Sequence, residues 1–306
     1  MKKRTPLMTV PAVLASVALL SGCVTNSETG TPEGWEPILP EADADVMALV
    51  PEDIAARGTI SIGTNPPFAP FQFKDSAGNI IGVEMDLAAA TASIMGLDLE
   101  IVQQEFAMIL PAVDAGTLDF GASGFTDTEE RRERYDFIDT FFAGIQWAQR
   151  VDEPTVDPDN ACGLTVAVQR NTVPETDDLR PKNEKCIEEG KDEIEILSYE
   201  TADQAATALV VGRADAFVAD SPVTAWTIER ADGQLKNTGD MYDAAPYGYA
   251  SPKGSQLTEA LAAAFQKLID SGDYQRIMDQ WNIQSGLVEE SLINEVPYKE
   301  FLAGRR

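Results

Sequence analysis

One short phrase occurs twice in this chain, and it restricts the fold more than any other feature. Gly116-Thr117-Leu118-Asp119-Phe120 and Gly212-Arg213-Ala214-Asp215-Ala216 stand 96 residues apart, and each closes a helical pattern with glycine before turning into a strand through aspartate. Glycine suits the left-handed cap that ends a helix, and the two aspartates read as turn and packing residues. Around each phrase the hydrophobic period switches between that of a strand and that of a helix. The first series predicts a strand at 58–63, a helix at 84–95, a strand at 97–103, a helix at 107–115 and a short strand at 119–122. The second predicts a strand at 164–169, a helix at 174–188, a strand at 193–199, a helix at 202–212 and a strand at 216–219. Thr201 and Gln204 have capping-box spacing at the start of that last helix. After residue 244 come an extended piece at 247–251 and two helices, at 256–271 and 273–281. In the longer helix Leu257, Leu261, Phe265 and Leu268 recur at helical spacing and read as core.

A βαβαβ series written twice predicts an α/β protein of two lobes, each a mostly parallel sheet flanked by helices, joined by a two-strand hinge near 142–144 and 243–247. Lobe 1 would comprise 51–143 and, with the C-terminal tail, 245–306; lobe 2 would comprise 144–244. Ligands of such sheets sit at the carboxyl ends of the strands, so a site is expected between the lobes. The 306 residues are 44% hydrophobic and 24% charged, a globular composition with enough apolar side chains for a core in each lobe. Acidic residues outnumber basic ones 51 to 23, a net charge of −28, which argues against nucleic acid and anionic headgroups as partners of the body. The chain has no histidine. That removes Ser-His-Asp and Cys-His catalysis, His-ligated metals and imidazole proton shuttles.

The N-terminus reads as a signal peptide over 1–22: Lys2, Lys3 and Arg4 precede an apolar segment at 6–20 that is too short to span a bilayer, followed by Ser21, Gly22 and Cys23. Leu20-Ser21-Gly22-Cys23 resembles a bacterial lipobox, which implies cleavage before Cys23 and lipid on its sulfur, holding the protein at the outer face of the cytoplasmic membrane. The alternative is a plain secretory signal with an incidental cysteine. Beyond it, 24–45 is rich in Thr, Glu, Gly, Pro and Asp without periodicity and reads as a solvated, flexible tether within 23–50. Cys162 and Cys186 then form an even pair in an oxidising compartment. A disulfide between them would close a loop of about 25 residues and stabilise the fold by roughly 3 kcal/mol. A redox or metal pair would be expected to show C-x-x-C spacing.

Three loops at strand ends carry candidate chemistry. Thr64-Asn65-Pro66-Pro67-Phe68-Ala69-Pro70-Phe71 is stiffened by proline; Phe68 reads as a ring offered to a ligand and Phe71 as packing. In Ser123-Gly124-Phe125-Thr126-Asp127-Thr128-Glu129-Glu130-Arg131, Thr126-x-x-Glu129 has capping-box form. Backbone amides, hydroxyls and the Arg131 guanidinium could converge there on one carboxylate. The alternative pairs Arg131 with neighbouring acids on a solvated face. The second half offers Ala219-Asp220-Ser221 at the equivalent place. An acid facing Arg131 across a cleft would complement a ligand with ammonium and carboxylate on one carbon, which is an α-amino acid; the alternative is a turn-capping aspartate.

From about 56 to 281 the sequence resembles the polar-amino-acid-binding family of solute-binding proteins that serve ABC importers. The likeness rests on the aromatic-Ala-Pro-Phe segment at 68–71, Gly82-Val83-Glu84-Met85-Asp86-Leu87, the blocks 116–131, 166–172 and 212–220, and Gly272-Asp273-Tyr274 through Trp281. The resemblance implies that Arg131 binds an α-carboxylate with Thr126 and the backbone of Gly124, and that Thr172 adds a hydroxyl or amide from lobe 2. It implies that Ser123 and Asp220 hold the α-ammonium and that Phe68 and Phe106 flank the side chain. Asn171 stands where the family often has glycine, and asparagine tolerates left-handed backbone angles. Asn65 replaces a commonly acidic residue, which weakens the case for a strongly cationic ligand and favours a polar or uncharged amino acid. Asn65, Gln103, Glu105 and Phe125, with Trp147 and Arg150 further off, are the candidates for contacting its side chain.

The function expected is a monomeric, lipid-anchored binding protein that captures an amino acid between hinged lobes and delivers it to a membrane permease, with no cofactor, metal or nucleic acid. No phosphate-binding loop of the G-x-x-x-x-G-K-[ST] type is present, so energy would come from the partner. The rivals are a dehydratase acting on amino-acid-like substrates through Glu84, Glu105 or Asp127, although no paired carboxylates stand out in the sequence, and a partner-dependent extracellular sensor.

Overall fold

The two phrase aspartates do the same work in their respective halves. Asp119 accepts hydrogen bonds from the Ser61 amide at 2.7 Å and the Ser61 hydroxyl at 2.9 Å, and Asp215 accepts from the Thr165 amide at 2.9 Å. Each thereby ties the turn before its own strand to the first strand of its half. These bonds belong to a computed structural model that describes residues 30–304. The expected signal peptide, 1–22, and Cys23 lie outside the described residues.

The strands are β1 (Thr59–Thr64), β2 (Phe73–Lys74), β3 (Ile80–Ile81), β4 (Asp98–Gln103), β5 (Phe120–Thr126), β6 (Tyr135–Arg150), β7 (Thr165–Gln169), β8 (Glu195–Tyr199), β9 (Ala216–Asp220), β10 (Leu235–Pro252), β11 (Leu292–Ile293) and β12 (Val296–Pro297). The main sheet has the order β4-β1-β5-β10-β6-β9-β7-β8, while β2 and β3 pair apart from it. The flanks are the parallel triplets expected of each βαβαβ series, β4-β1-β5 in lobe 1 and β9-β7-β8 in lobe 2. Between them β6 and β10 run antiparallel through both lobes. The Phe137–Phe141 stretch of β6 lies opposite the Tyr247–Ala250 stretch of β10 in lobe 1, whereas from Ile145 onward β6 pairs with β9 in lobe 2. Strand periodicity was legible only at 247–251; the observed strand begins at Leu235 and its register slips three times on the way.

Lobe 1 packs around helix Gln256–Ser271, whose Leu257, Leu261, Phe265 and Leu268 are buried as their spacing requires. Ser255 caps its first turn and Gly272 ends it at φ 81°. Lobe 2 has a separate core of Ile145, Trp147, Val166, Val168, Leu179 and Val218. Beside that core Cys162 and Cys186 form the expected disulfide.

Two expectations are corrected. The capping box Thr126-x-x-Glu129 does not form: Thr128 is the N-cap, its hydroxyl accepting from the Arg131 amide at 3.3 Å, because β5 continues to Thr126 and leaves that residue extended. The second is the solvated tether expected over 24–45. From Trp35 to Asp43 the chain lies on lobe 1, and a short helix, Ala44–Met47, buries Val46.

Candidate functional site

β5 and β9 are the third strands of their halves, and the residues at their ends bring opposite charges to one cavity. Phe68, Phe106, Gly124, Thr126, Arg131, Thr172, Val173 and Asp220 line a cavity of about 10 Å³ between the lobes. That is about the room of one water molecule, far below the roughly 300–1,000 Å³ of open ligand pockets.

The Arg131 guanidinium donates to the Thr126 carbonyl at 2.7 Å and reaches the Asn171 carbonyl of lobe 2 at 3.5 Å, above the Phe125 ring at 5.8 Å. Among the described residues it forms no ion pair. The ion-paired arginine on this short helix is the adjacent Arg132, which grips Asp127 through two bonds and also reaches Glu295. Burial lowers the pKa of Arg131 while the charge of Asp220 opposes that shift. Asp220 occupies the N-cap position of helix Ser221–Arg230, yet its side chain makes no capping bond. Burial pushes its carboxyl up to about 6, with the Tyr247 hydroxyl and Arg131 pulling the other way. The Tyr247 hydroxyl acts on that charge without forming a hydrogen bond of good geometry. A desolvated cation and a desolvated anion, neither committed to a local ion pair or cap, thus share one small space. Such an arrangement disfavours any occupant that lacks both complementary charges.

The loops are held from behind. The Gly124 amide donates to both oxygens of the buried Glu84, at 2.9 and 3.2 Å. Burial raises Glu84 to about 8 and the amide bond opposes that. The resemblance assigned the Gly124 backbone to a ligand carboxylate; the structure commits its N–H to Glu84, so Gly124 contributes the remainder of its surface to the cavity. A Cβ at this φ of 61° would lie 2.7 Å from the Phe68 ring, so the position needs glycine. Ser123 does not line the cavity. Its hydroxyl accepts from the Asn65 amide at 3.0 Å and from Gln72 at 3.1 Å, bracing the Phe68 loop. Asn65 lies in the same second layer, donating to the Gln104 carbonyl and accepting from Gln169 of lobe 2 at 2.9 Å. Buried acceptors at Gln72 Oε1 and Gln169 Oε1 have no hydrogen-bond partner.

Asn171 adopts φ 61°, the left-handed geometry that asparagine tolerates. With Phe125 it lines an adjoining recess of about 430 Å³, where Phe125 stacks on Phe106 at 4.7 Å. Thr172 reaches the cavity, but its hydroxyl is bound to the Gln169 carbonyl at 2.7 Å. Gln103 and Glu105 are exposed at the end of β4. Trp147 is sealed in the lobe 2 core, and Arg150 donates to the Leu209 and Ala214 carbonyls; none of these four lines the cavity. Val173 and the supporting roles of Glu84, Tyr247 and Gln169 were not read from the sequence. Glu84 was visible as part of the block 82–87 and as an acid–base candidate of the dehydratase reading, but nothing local showed that it is buried against Gly124.

Residues 60–284 match the family described as bacterial extracellular solute-binding proteins, family 3. The arginine-binding protein ArgT of Corynebacterium glutamicum is 62% identical over 296 residues, covering 96% of this chain and 97% of that one. The histidine-binding periplasmic protein of Escherichia coli K12 is 28% identical over 253 residues, covering 77% and 89%. Among solved structures, an ancestral arginine-binding protein bound to arginine superposes with a TM-score of 0.68 at 30% identity, covering 74% of this chain and 98% of that one.

Proposed function

Since the chain belongs to the bacterial extracellular solute-binding proteins of family 3, we propose that it is the arginine-capturing component of an ABC importer, anchored by lipid at Cys23 and delivering its ligand to a membrane permease. The carrying observation is the pair of charges, Arg131 on lobe 1 and the buried Asp220 on lobe 2, which line one cavity between the lobes and form no ion pair among the described residues. The carboxylate of the ligand meets Arg131 and its ammonium meets Asp220. Opening turns about residues 142–144 and 243–247. Because the two charges come from different lobes, the ligand binds the closed state more tightly than the open one, and only such differential binding shifts the population.

Arginine is favoured over a neutral side chain by the 62% identity to a protein named for arginine binding. The absence of an acid at Asn65 is compatible with this ligand. A guanidinium is weakly hydrated and delocalised, so it needs a compact counter-charge less than an ammonium does. The role is binding rather than catalysis: of the acids offered for acid–base chemistry, Glu84 is committed to Gly124 and Asp127 to Arg132, and Glu105 is exposed outside the cavity. A thermal-shift and calorimetric screen of the amino acids tests the reading. Arginine should stabilise by about 2.7 kcal/mol at 100 times its Kd and be recovered unchanged. Stabilisation by a neutral amino acid but not by arginine would overturn the assignment.

A further inference from the structure

Residues 30–43 lie where a flexible tether is expected, and they are docked. The Trp35 indole donates to Asp86 Oδ2 at 2.7 Å, and the Trp281 indole donates to the same oxygen at 2.7 Å, so one carboxylate joins the N-terminal segment to the end of lobe 1. The Glu36 amide donates to Gln280 at 2.7 Å, the Ser93 hydroxyl to the Pro40 carbonyl at 2.6 Å and the Asp43 amide to the Ile94 carbonyl at 2.9 Å. Asp43 also pairs with Lys267 at 2.8 Å. The segment therefore follows helix Val83–Ile94 from its first turn to its last, and every partner named here belongs to lobe 1. Upstream, Gly30 is pressed against the β2–β3 hairpin: a Cβ there would lie 2.8 Å from Ile81 Cδ1. At this exit Phe73 of the hairpin meets Trp226 of lobe 2 at 5.4 Å.

We propose that residues 30–43 form a fixed strap that shortens the membrane leash and holds the β2–β3 face of lobe 1 toward the lipid surface; the anchor itself rests on the lipid-anchored reading above. Seven residue steps separate Cys23 from Gly30. Fully extended they span about 25 Å, against about 75 Å for a free tether over 24–45. The acidic body gains no attraction from anionic headgroups, and its repulsion is screened beyond roughly 8 Å at physiological salt, so the covalent leash sets the distance. Lobe 1 becomes the lobe referenced to the membrane, and lobe 2 the lobe that swings.

The test uses the full acylated protein in phosphatidylcholine–phosphatidylglycerol vesicles carrying a lipid-borne energy acceptor. A donor dye is placed at Ala77→Cys in the hairpin turn or at Glu195→Cys on β8, the outer strand of lobe 2. Transfer should be stronger from position 77, and the double change Trp35→Ala, Ser93→Ala should abolish the difference. Equal transfer from the two positions with the strap intact, or a difference unmoved by the double change, would overturn the proposal. Retained thermal shift with amino acid shows that the variant is folded. Hydrogen exchange should find the Asp43 amide protected in the parent and fast-exchanging in the variant; fast exchange in the parent would refute the strap itself. The mass of the N-terminal peptide separates the two readings: an unacylated Cys23 sinks the anchor and with it the membrane orientation, while the amide protection still judges the docking.

Discussion

The lobes share a plan and differ in what they place at the same point of it. At the end of the third strand, lobe 1 leads through Thr126 to Arg131, while lobe 2 ends on Asp220. The scaffolding beneath is alike, with Asp119 and Asp215 tying equivalent turns to equivalent strands. The supports of the two loops differ in kind. Lobe 1 braces its loop from distant segments: the Glu84 carboxylate on the Gly124 amide, and the Asn65 backbone amide and the Gln72 side chain on the Ser123 hydroxyl. Lobe 2 instead contributes a loop after its first strand, β7, that is braced locally, through the left-handed Asn171, the Glu175 carboxylate on the Asn171 amide at 2.6 Å, and Thr172 on Gln169. A repeated scaffold therefore fixes where a ligand can sit, and the few residues past each strand decide what it must be.

Removing one pole should show this most clearly. Arg131→Ala leaves a ligand carboxylate buried without a partner, so arginine binding should weaken by about 2–5 kcal/mol with the melting temperature of the free protein nearly unchanged. Calorimetry showing affinity within a few-fold of the parent would break the assigned polarity. Next in size is a stability effect confined to lobe 2. Cys162→Ser with Cys186→Ser should cost roughly 3 kcal/mol, seen as early exchange of amides in β7 and β8 while those in β1 and β4 stay protected; uniform loss across both lobes would mean the two cores unfold as one.

Asp220→Asn should weaken arginine by about 1.5–3 kcal/mol. It should also remove the pH dependence that the Asp220 carboxyl supplies. In the unliganded closed form the carboxyl takes up a proton as pH falls through about 6, so affinity is full above that range and declines below it, by up to about tenfold per pH unit. Arg131 stays charged throughout, so titration calorimetry from pH 8 to 4.5 on the Asn variant should give a flat profile; a slope equal to the parent's would assign the proton elsewhere. The smallest effect is expected of Glu84→Gln. It keeps an acceptor for the Gly124 amide, and Glu84, raised to about 8, is largely neutral at pH 7 already, so binding should change by less than about 1 kcal/mol, whereas Glu84→Ala should cost more.

What could be read from the residues follows the same division. Elements with strong periodicity, such as helix Gln256–Ser271, and the pairing of Cys162 with Cys186 were plain because the pattern is local. The course of β6 and β10 between the lobes was not, since β6 is buried almost continuously and shows no alternation, while β10 is interrupted by register slips. At the site, Arg131 and Asp220 were legible as chemistry at strand ends. That Ser123 and Asn65 face each other behind the wall, or that Gly124 is tied to Glu84 forty positions away, depends on contacts between distant segments that no local pattern encodes. The composition of 24–45 suggested disorder because the docking bonds of 30–43 are few and run largely through backbone groups, apart from Trp35 and the pair of Asp43 with Lys267.

The central claim is that opposite lobes hold opposite ends of one zwitterion, and a thermodynamic cycle tests it directly. Affinities of the parent and of Arg131→Ala are measured for arginine and for argininamide, which lacks the carboxylate charge. If the guanidinium of lobe 1 meets that carboxylate, amidation costs the parent heavily and the variant little, giving a coupling of at least about 1.5 kcal/mol. An equal cost in both proteins would place the carboxylate away from Arg131 and contradict the account.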